Sequence, residues 1–257
     1  MSGRLSNKVA LVTGGSRGIG RAMALAFARE GASLIGVHYG SNAEAAQATV
    51  REIEALGTKA VAIGADLFKA REAAEAIADQ IKSAAIAQTG AAGLDILVNN
   101  AGVAYATALA DTDEALYDQI MNINTKAPFF LIQALADHIR DNGRIINVST
   151  GFTRIAAPTH PAYAASKGAL DTLSLALAPA FAQRGITVNA VMPGVTETDM
   201  NAAWLADPDA RAGAEGMSVF SRVGTPADVA DVITFLASND SRWTTGQVID
   251  ATGGARI

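Results

Sequence analysis

Residues 9–20 read Val-Ala-Leu-Val-Thr-Gly-Gly-Ser-Arg-Gly-Ile-Gly. The first four are apolar, which predicts a buried strand, and the glycines that follow predict a tight turn. From Gly18 the apolar spacing becomes helical and continues to Glu30, before Gly31 ends it. A glycine turn placed between a strand and a helix brings backbone N–H groups to the helix N-terminus, where they can bind a pyrophosphate. The alternative is a turn that only tightens the packing of strand and helix.

The same alternation of apolar run and helical pattern continues along the chain. Further strands are predicted at 32–39, 59–66, 94–102, 143–150 and 185–194, and helices at 42–56, 70–88, 111–141 and 162–184. Thr225 and Pro226 begin another helix that runs to Ser238, and residues 246–250 supply a last strand. Near-continuous apolar strands joined by helices predict a doubly wound, Rossmann-type parallel sheet of about seven strands.

Length and composition limit the class of protein. A chain of 257 residues fits one domain, 1–257. The net charge of -5, with no Lys/Arg run, argues against a nucleic-acid partner. Cysteine is absent and the three histidines are scattered, so no metal site is expected. Neither a signal peptide nor an apolar run of roughly 20 residues is present, which predicts a cytoplasmic protein that does not span a membrane.

Two segments depart from the regular alternation. Residues 196–223 are predicted to form a long irregular insert that acts as a substrate lid. Its isolated apolar residues suit an apolar portion of a substrate, although packing would explain them equally; they are Trp204, Leu205, Met217 and Phe220. Pro179 lies inside the helix predicted at 162–184, where its missing N–H should kink the helix or end it early.

Three motifs occur in the order and at the spacing of one family. They are Gly-x-x-x-Gly-x-Gly at 14–20, Asn-Asn-Ala-Gly at 99–102, and Tyr163-x-x-x-Lys167. From about Lys8 to Gly254 the chain resembles the short-chain dehydrogenase/reductase family, including its 3-oxoacyl-carrier-protein reductases and ketoreductases. The resemblance implies an oxidoreductase that binds a nicotinamide dinucleotide.

The end of the second strand bears on the choice of cofactor. An NAD site usually holds a carboxylate there, which binds the ribose 2′-hydroxyl and repels a 2′-phosphate. By resemblance that place falls on His38, which is not acidic, while Arg17, Ser41 and Asn42 are polar groups suited to a phosphate. We therefore expect NADP(H). The alternative is that Arg17 is a solvated turn residue and His38 an ordinary strand residue.

The resemblance also assigns the rest of the cofactor site. It places Asp66 near the adenine, residues 99–102 beside the adenosine half, and residues 193–198 on the nicotinamide side, with Thr198 bonded to the carboxamide. The complete predicted set is Gly14, Ser16, Arg17, Gly18, Ile19, Gly20, His38, Ser41, Asn42, Asp66, Leu67, Asn100, Ala101, Gly102, Tyr163, Lys167, Pro193, Gly194, Val195 and Thr198.

Tyr163 and Lys167 suit acid/base chemistry. Reduction of a ketone needs a hydride on carbon and a proton on oxygen, and a nicotinamide supplies the hydride alone. A free tyrosine has a pKa of about 10, so a nearby cation is needed to stabilise its phenolate. Residues four apart on a helix share one face, which lets a single pocket use both side chains. We expect Tyr163 to be the general acid/base and Lys167 its cation.

Two further catalytic residues follow from the resemblance. Asn124 matches the family's asparagine at a helix distortion, where a water connects the lysine to solvent; Asn122 is a nearby competitor. The family's serine, spaced back from Tyr163, falls on Thr150, which keeps a hydroxyl and adds a methyl group. Successive strand side chains point to opposite faces, so either Ser149 or Thr150, but not both, is expected to reach the pocket.

These assignments predict an enzyme that reduces a ketone or 3-oxo group to a secondary alcohol, or catalyses the reverse reaction, with a small molecule as substrate. The alternative is a non-catalytic NADP(H)-binding regulator, motivated by the change of serine to Thr150. The family also implies a homotetramer, with a dimer as the alternative, in which the helices after the fourth and fifth strands pair between subunits.

Overall fold

Seven strands form one parallel sheet in the computed structural model, which describes residues 3–255. They are β1 (Val9–Val12), β2 (Leu34–Tyr39), β3 (Lys59–Gly64), β4 (Leu94–Asn99), β5 (Ile139–Val148), β6 (Thr187–Pro193) and β7 (Val248–Ala251). The predicted doubly wound sheet is confirmed. The predicted domain, 1–257, extends two residues beyond the described residues at each end.

The strand order is β3-β2-β1-β4-β5-β6-β7, so the winding direction reverses between β1 and β4. Val12 at the end of β1 is in register with Val37 of β2 on one side and Val98 of β4 on the other. The loops that leave β1 and β4 turn to opposite faces of the sheet, which opens a crevice at the carboxyl ends of the strands.

Helices cover both faces of the sheet. They are α1 (Gly18–Arg29), α2 (Ala43–Ala55), α3 (Arg71–Thr89), α4 (Glu114–Met121), α5 (Ala127–Leu135), α6 (Pro161–Phe181), α7 (Asp199–Leu205), α8 (Pro208–Glu215) and α9 (Pro226–Ala237). Helices α1, α2 and α9 bury one apolar cluster, and α3, α5 and the end of α6 bury the other. No helix within the described residues is long and apolar enough to cross a membrane.

The helix predicted at 111–141 was wrong as a single element. It is divided into α4, a π-helical turn at Asn122–Lys126, and α5, and β5 begins at Ile139. Ile139 is fully buried and pairs with Leu94, so burial of this one apolar side chain in the sheet outweighs continuation of the helix. Asn142 then takes a positive φ of 61°, which bends β5 before its central residues.

The other boundary differences are smaller. Helix α6 contains Pro179 and ends at Phe181, and a 3₁₀ turn covers Ala182–Arg184, so the regular helix stops short of its predicted end. The insert at 196–223 is not wholly irregular, because it contains α7 and α8. The Asp207 side chain accepts a hydrogen bond from Asp209 N and so caps α8. This N-cap residue was the sequence signal for a helix that the prediction overlooked.

The glycines of the first turn are required by close packing. Gly14 has a φ of +63°, and a Cβ atom at Gly20 would lie 2.1 Å from the Gly14 carbonyl oxygen and 2.7 Å from Asn100 Nδ2. Asn100 itself donates from Nδ2 to Thr13 O at 2.8 Å and from its backbone N to Thr13 Oγ1 at 2.9 Å. The turn is therefore held against the end of β4, at the edge of the crevice.

Gly20→Ala should destabilise the protein by about 1–3 kcal/mol, because the added methyl group must displace the backbone of the turn. Gly213→Ala is the matched control, since a Cβ atom there meets nothing within 4 Å and alanine favours the interior of α8. It should be neutral or stabilise the fold by up to about 1 kcal/mol. Urea unfolding of both variants measures the difference, and equal stabilities would contradict the packing described.

Candidate active site

A cavity of about 1110 Å³ lies at the carboxyl ends of the strands. It is lined by the first glycine turn, by the ends of β2, β4, β5 and β6, by α6 and by the insert at 196–223. Every residue of the predicted cofactor site contributes to this lining except Asn42. Of the predicted catalytic residues, Thr150, Tyr163 and Lys167 line the cavity, and Asn124 lies behind it.

Asn42 is engaged at the start of α2. Its side-chain oxygen accepts a hydrogen bond from Ala45 N at 2.9 Å and so caps α2. A helix cap satisfies a backbone N–H that would otherwise lack a partner, which explains why this side chain turns toward the helix. Ser41 and Arg17 remain at the cavity wall, and the Arg17 guanidinium lies 3.9 Å from the Asp199 carboxylate, with both side chains 67% exposed.

His38 lines the cavity but is almost wholly buried, with 1% of its surface exposed. Its Nδ1 accepts a hydrogen bond from Gly14 N at 3.2 Å, and its Nε2 lies 3.1 Å from Ala65 O. Because Gly14 N–H can only donate, the ring proton belongs on Nε2. Burial lowers the pKa of His38 to about 4, and the Ala65 carbonyl partly opposes this effect.

The middle of the cavity is shaped by backbone and small residues. A Cβ atom at Gly102 would lie 3.1 Å from both Asn124 Oδ1 and Lys167 Nζ, so a larger residue would fill the space above them. Asp66 accepts a hydrogen bond from Phe68 N at 3.0 Å, which fixes the loop after β3 beside Leu67. The backbone of the glycine turn is open to the cavity, and the middle of the cavity is lined by small residues. These two features fit an extended dinucleotide.

The far end of the predicted cofactor site follows β6. Pro193, Gly194, Val195 and Thr198 line the cavity there. A Cβ atom at Gly194 would lie 2.7 Å from Thr252 O, so glycine permits the close approach of the segment after β7. The Thr198 side chain faces Gly18 of the glycine turn, because a Cβ atom at Gly18 would lie 3.4 Å from Thr198 Cγ2. The insert and the turn therefore border the same opening.

Tyr163 and Lys167 lie on one face of α6, which begins with Pro161 in its first turn. The Lys167 ammonium donates to Val148 O at 2.8 Å, and burial lowers its pKa to about 8, an effect that the charge of Asp171 opposes. Burial raises the pKa of Tyr163, whereas the neighbouring Thr150 hydroxyl lowers it. One wall of the cavity thus contains the Tyr163 phenol, the Thr150 hydroxyl and the Lys167 ammonium group.

Ser149 and Thr150 both belong to the residues that line the cavity. Their hydroxyls nevertheless point to different partners. Ser149 Oγ donates to the Lys167 backbone carbonyl at 3.4 Å, whereas Thr150 Oγ1 accepts from Phe152 N at 3.4 Å and lowers the pKa of Tyr163. β5 ends at Val148, and Thr150 caps the 3₁₀ turn at Gly151–Thr153.

Asn124 is fully buried in the π-helical turn, so the predicted helix distortion is present. Its Oδ1 accepts from Val103 N, and its Nδ2 donates to Val103 O, each at 2.9 Å. The same Nδ2 lies 3.0 Å from Ser166 Oγ on α6. The side chain thus joins the loop after β4 to α6, immediately behind Lys167. Asn122 belongs to the same turn and is half-buried.

An aromatic cluster that was not predicted from the sequence lies next to Tyr163. The rings of Phe152 and His160 lie 5.2 Å apart, and each ring centroid is 6.4 Å from that of Tyr163. Of the four apolar residues singled out in the insert, Trp204 and Met217 line the cavity, Leu205 is buried and Phe220 is exposed. The position of His160 at the N-cap of α6, three residues before Tyr163, was the available signal.

A family model described as enoyl-(acyl carrier protein) reductase matches residues 14–256. The chain belongs to the short-chain dehydrogenase/reductase family. It is an oxidoreductase of this family, which favours the enzyme over the non-catalytic alternative.

Three similar proteins indicate the chemistry found in this family. A probable tetrahydroxynaphthalene reductase of Zymoseptoria tritici is 39% identical over 264 residues, covering 98% of this chain and 96% of the relative. The structure of angucycline C-6 ketoreductase LanV with bound NADP is 43% identical, with a TM-score of 0.94 and coverage of 99% and 97%. A Burkholderia cenocepacia short-chain dehydrogenase in complex with NADP is 39% identical, with a TM-score of 0.90 and coverage of 99% and 100%.

Thr150→Val should lower turnover by about 10²- to 10³-fold, because it keeps the branched shape but deletes the hydroxyl that lines the cavity with Tyr163. Ser149→Ala should cost about 1 kcal/mol of stability and leave turnover much less affected, since its hydroxyl bonds to a backbone carbonyl. Thr150→Ser should stay active. Steady-state kinetics with NADPH measure these effects. If Ser149→Ala abolished turnover while Thr150→Val lowered it slightly, Ser149 would be the catalytic hydroxyl instead of Thr150.

Proposed function

We propose that this protein uses NADPH to reduce a ketone to a secondary alcohol, with Tyr163 as the general acid. The proposal rests on one cavity that is lined by Thr150, Tyr163 and Lys167 and also by the glycine turn. Reversal of the same steps oxidises the alcohol, with Tyr163 as the base.

A bound nicotinamide supplies the hydride. The chain's own residues supply the proton and stabilise charge on oxygen. The Thr150 hydroxyl orients the carbonyl oxygen, and the Tyr163 hydroxyl donates its proton to that oxygen as the alcohol forms. Lys167 stabilises the resulting phenolate through its charge, and its own bond to Val148 O holds the ammonium in place. Asn124 keeps α6 and the loop after β4 together beneath these groups.

Tyr163→Phe should therefore bind NADPH with nearly unchanged affinity and lose turnover by about 10²- to 10⁴-fold, because proton donation is removed while the cavity keeps its shape. Cofactor binding by fluorescence titration and turnover by loss of nicotinamide absorbance measure the two effects separately. Undiminished turnover on a substrate that wild-type protein reduces well would exclude Tyr163 as the acid.

The preference for NADPH rests on charge at the end of β2. Arg17 and Ser41 border the cavity there, and the residue at the end of the strand carries no carboxylate to repel a 2′-phosphate. The LanV and Burkholderia structures, both solved with NADP, support the same choice.

Arg17→Ala should weaken the binding of NADPH at least about tenfold more than the binding of NADH, because a guanidinium–phosphate pair is lost in one case alone. Dissociation constants of both nucleotides for wild-type and variant protein test this. Equal weakening of the two would mean that Arg17 acts on the pyrophosphate that both share.

The substrate side favours a flat, ring-containing ketone. Phe152 and His160 offer ring faces next to Tyr163, and Met200, Trp204 and Met217 supply apolar surface from the insert. The tetrahydroxynaphthalene reductase and the angucycline ketoreductase, by their names, act on ring systems of this kind. A panel of bicyclic aromatic ketones, open-chain ketones, β-ketoesters, quinones and sugars should show the highest kcat/KM for the bicyclic ketones.

Three further assignments belong to this proposal. Residues 196–223 act as a lid, since α7 and α8 border the cavity and Asp199 at the start of α7 lies 3.9 Å from Arg17 of the glycine turn. The protein is a homotetramer in which α4–α5 and α6 pair between subunits, and α6 presents Ala165 and Leu175 as exposed residues for such packing. Light scattering that shows a monomer alone would contradict the tetramer. A cytoplasmic location stays a prediction.

A further inference from the structure

His38 connects three segments of the nucleotide site. Its backbone carbonyl accepts from Gly15 N at 2.9 Å, its Nδ1 accepts from Gly14 N at 3.2 Å, and its Nε2 donates to Ala65 O at 3.1 Å. Gly14 begins the phosphate turn, and Ala65 precedes the loop of Asp66 that borders the cavity. One buried residue of β2 thus bonds to the turn after β1 and to the loop after β3.

The chemistry of the two partners selects a neutral imidazole. Gly14 N–H needs an acceptor and Ala65 C=O needs a donor, and the neutral ring offers one of each on opposite sides. A carboxylate has no proton for Ala65, and a protonated imidazole would direct an N–H at the Gly14 N–H. The two positions are linked in consequence: the orientation of the first glycine of the turn depends on the position of the β3 loop.

The surroundings of the ring keep it neutral. The charged and titratable groups on the adjoining segments are Arg17 on the turn, Tyr39 next on β2, and Asp66 on the β3 loop. The lowered pKa of about 4 comes from burial and not from any of these charges. With both ring nitrogens bonded to backbone groups and 1% of the residue exposed, the side chain has no donor left to offer a phosphate.

We propose that His38 is a positioning residue that sets the relative placement of the phosphate turn and the adenine-side loop through a single neutral imidazole, and that it does not contact the 2′-phosphate. The inference rests on the proposed nucleotide site and concerns how that site is built. It revises the expectation that position 38 recognises the ribose end of the cofactor directly.

Two substitutions at position 38 test this proposal. His38→Phe keeps a ring of similar size and removes both hydrogen bonds, so it should weaken NADPH and NADH by the same factor, about tenfold. His38→Asn places an amide oxygen close to where Nδ1 lies and can accept from Gly14 N–H, so it should recover NADPH affinity to within about threefold of wild type. Arg17→Ala is the contrasting variant, because its effect should fall on NADPH far more than on NADH.

The dissociation constants are measured by titration of nicotinamide fluorescence at a temperature where all variants are folded by circular dichroism. Loss of NADPH affinity alone in His38→Phe would overturn the proposal in favour of direct phosphate contact. A lower melting temperature with unchanged affinity for both nucleotides would overturn it in favour of a purely structural histidine. If the wild-type protein binds neither nucleotide, the proposed function itself is wrong. If the wild-type protein binds both and the variants behave otherwise than expected, the proposal for His38 alone is wrong.

Nitrogen-15 NMR of the wild-type protein supplies a measurement that needs no variant to fold. The His38 ring should show a proton on Nε2 and none on Nδ1, and the spectrum should not change between about pH 8 and pH 5.5, because the pKa lies near 4. A proton on Nδ1, or a titration near the ordinary histidine pKa of about 6.5, would overturn the proposed pair of hydrogen bonds.

Discussion

The contact between the first glycine turn and the end of β4 is the constraint on which the site depends. Thr13 receives two hydrogen bonds from Asn100, and Gly20 packs where a methyl group would meet the Gly14 carbonyl. Since β1 and β4 are the strands between which the winding reverses, this contact lies at the base of the crevice. It leaves the backbone of the turn open toward the cavity, where a nucleotide phosphate is proposed to bind.

A second set of contacts positions the reactive groups relative to that crevice. Lys167 bonds to the carbonyl at the end of β5, Ser149 bonds to the carbonyl of Lys167, and Asn124 joins α6 to the loop after β4. These bonds are buried, so they lose little to competition with water and hold α6 at a defined height above the sheet. Tyr163 and Thr150 meet as a consequence of this placement.

The fold and most of the site could be predicted from the sequence because both follow from local patterns. Apolar runs that end in glycine or asparagine identify the strands, and the i, i+4 spacing of Tyr163 and Lys167 brings them to one wall. The failures occur where tertiary contacts decide. Ile139 leaves the predicted helix because the sheet buries it. The two bonds of the His38 ring join residues 24 and 27 positions away, beyond the reach of any local pattern.

One cavity is proposed to bring hydride and proton to the two ends of the same carbonyl group. The most direct test uses NADPH with deuterium at both C4 positions of the nicotinamide, a ketone that the protein reduces, and mass spectrometry or NMR of the product. We expect one deuterium on the carbinol carbon. Consumption of the nucleotide without deuterium on the carbinol carbon would contradict it.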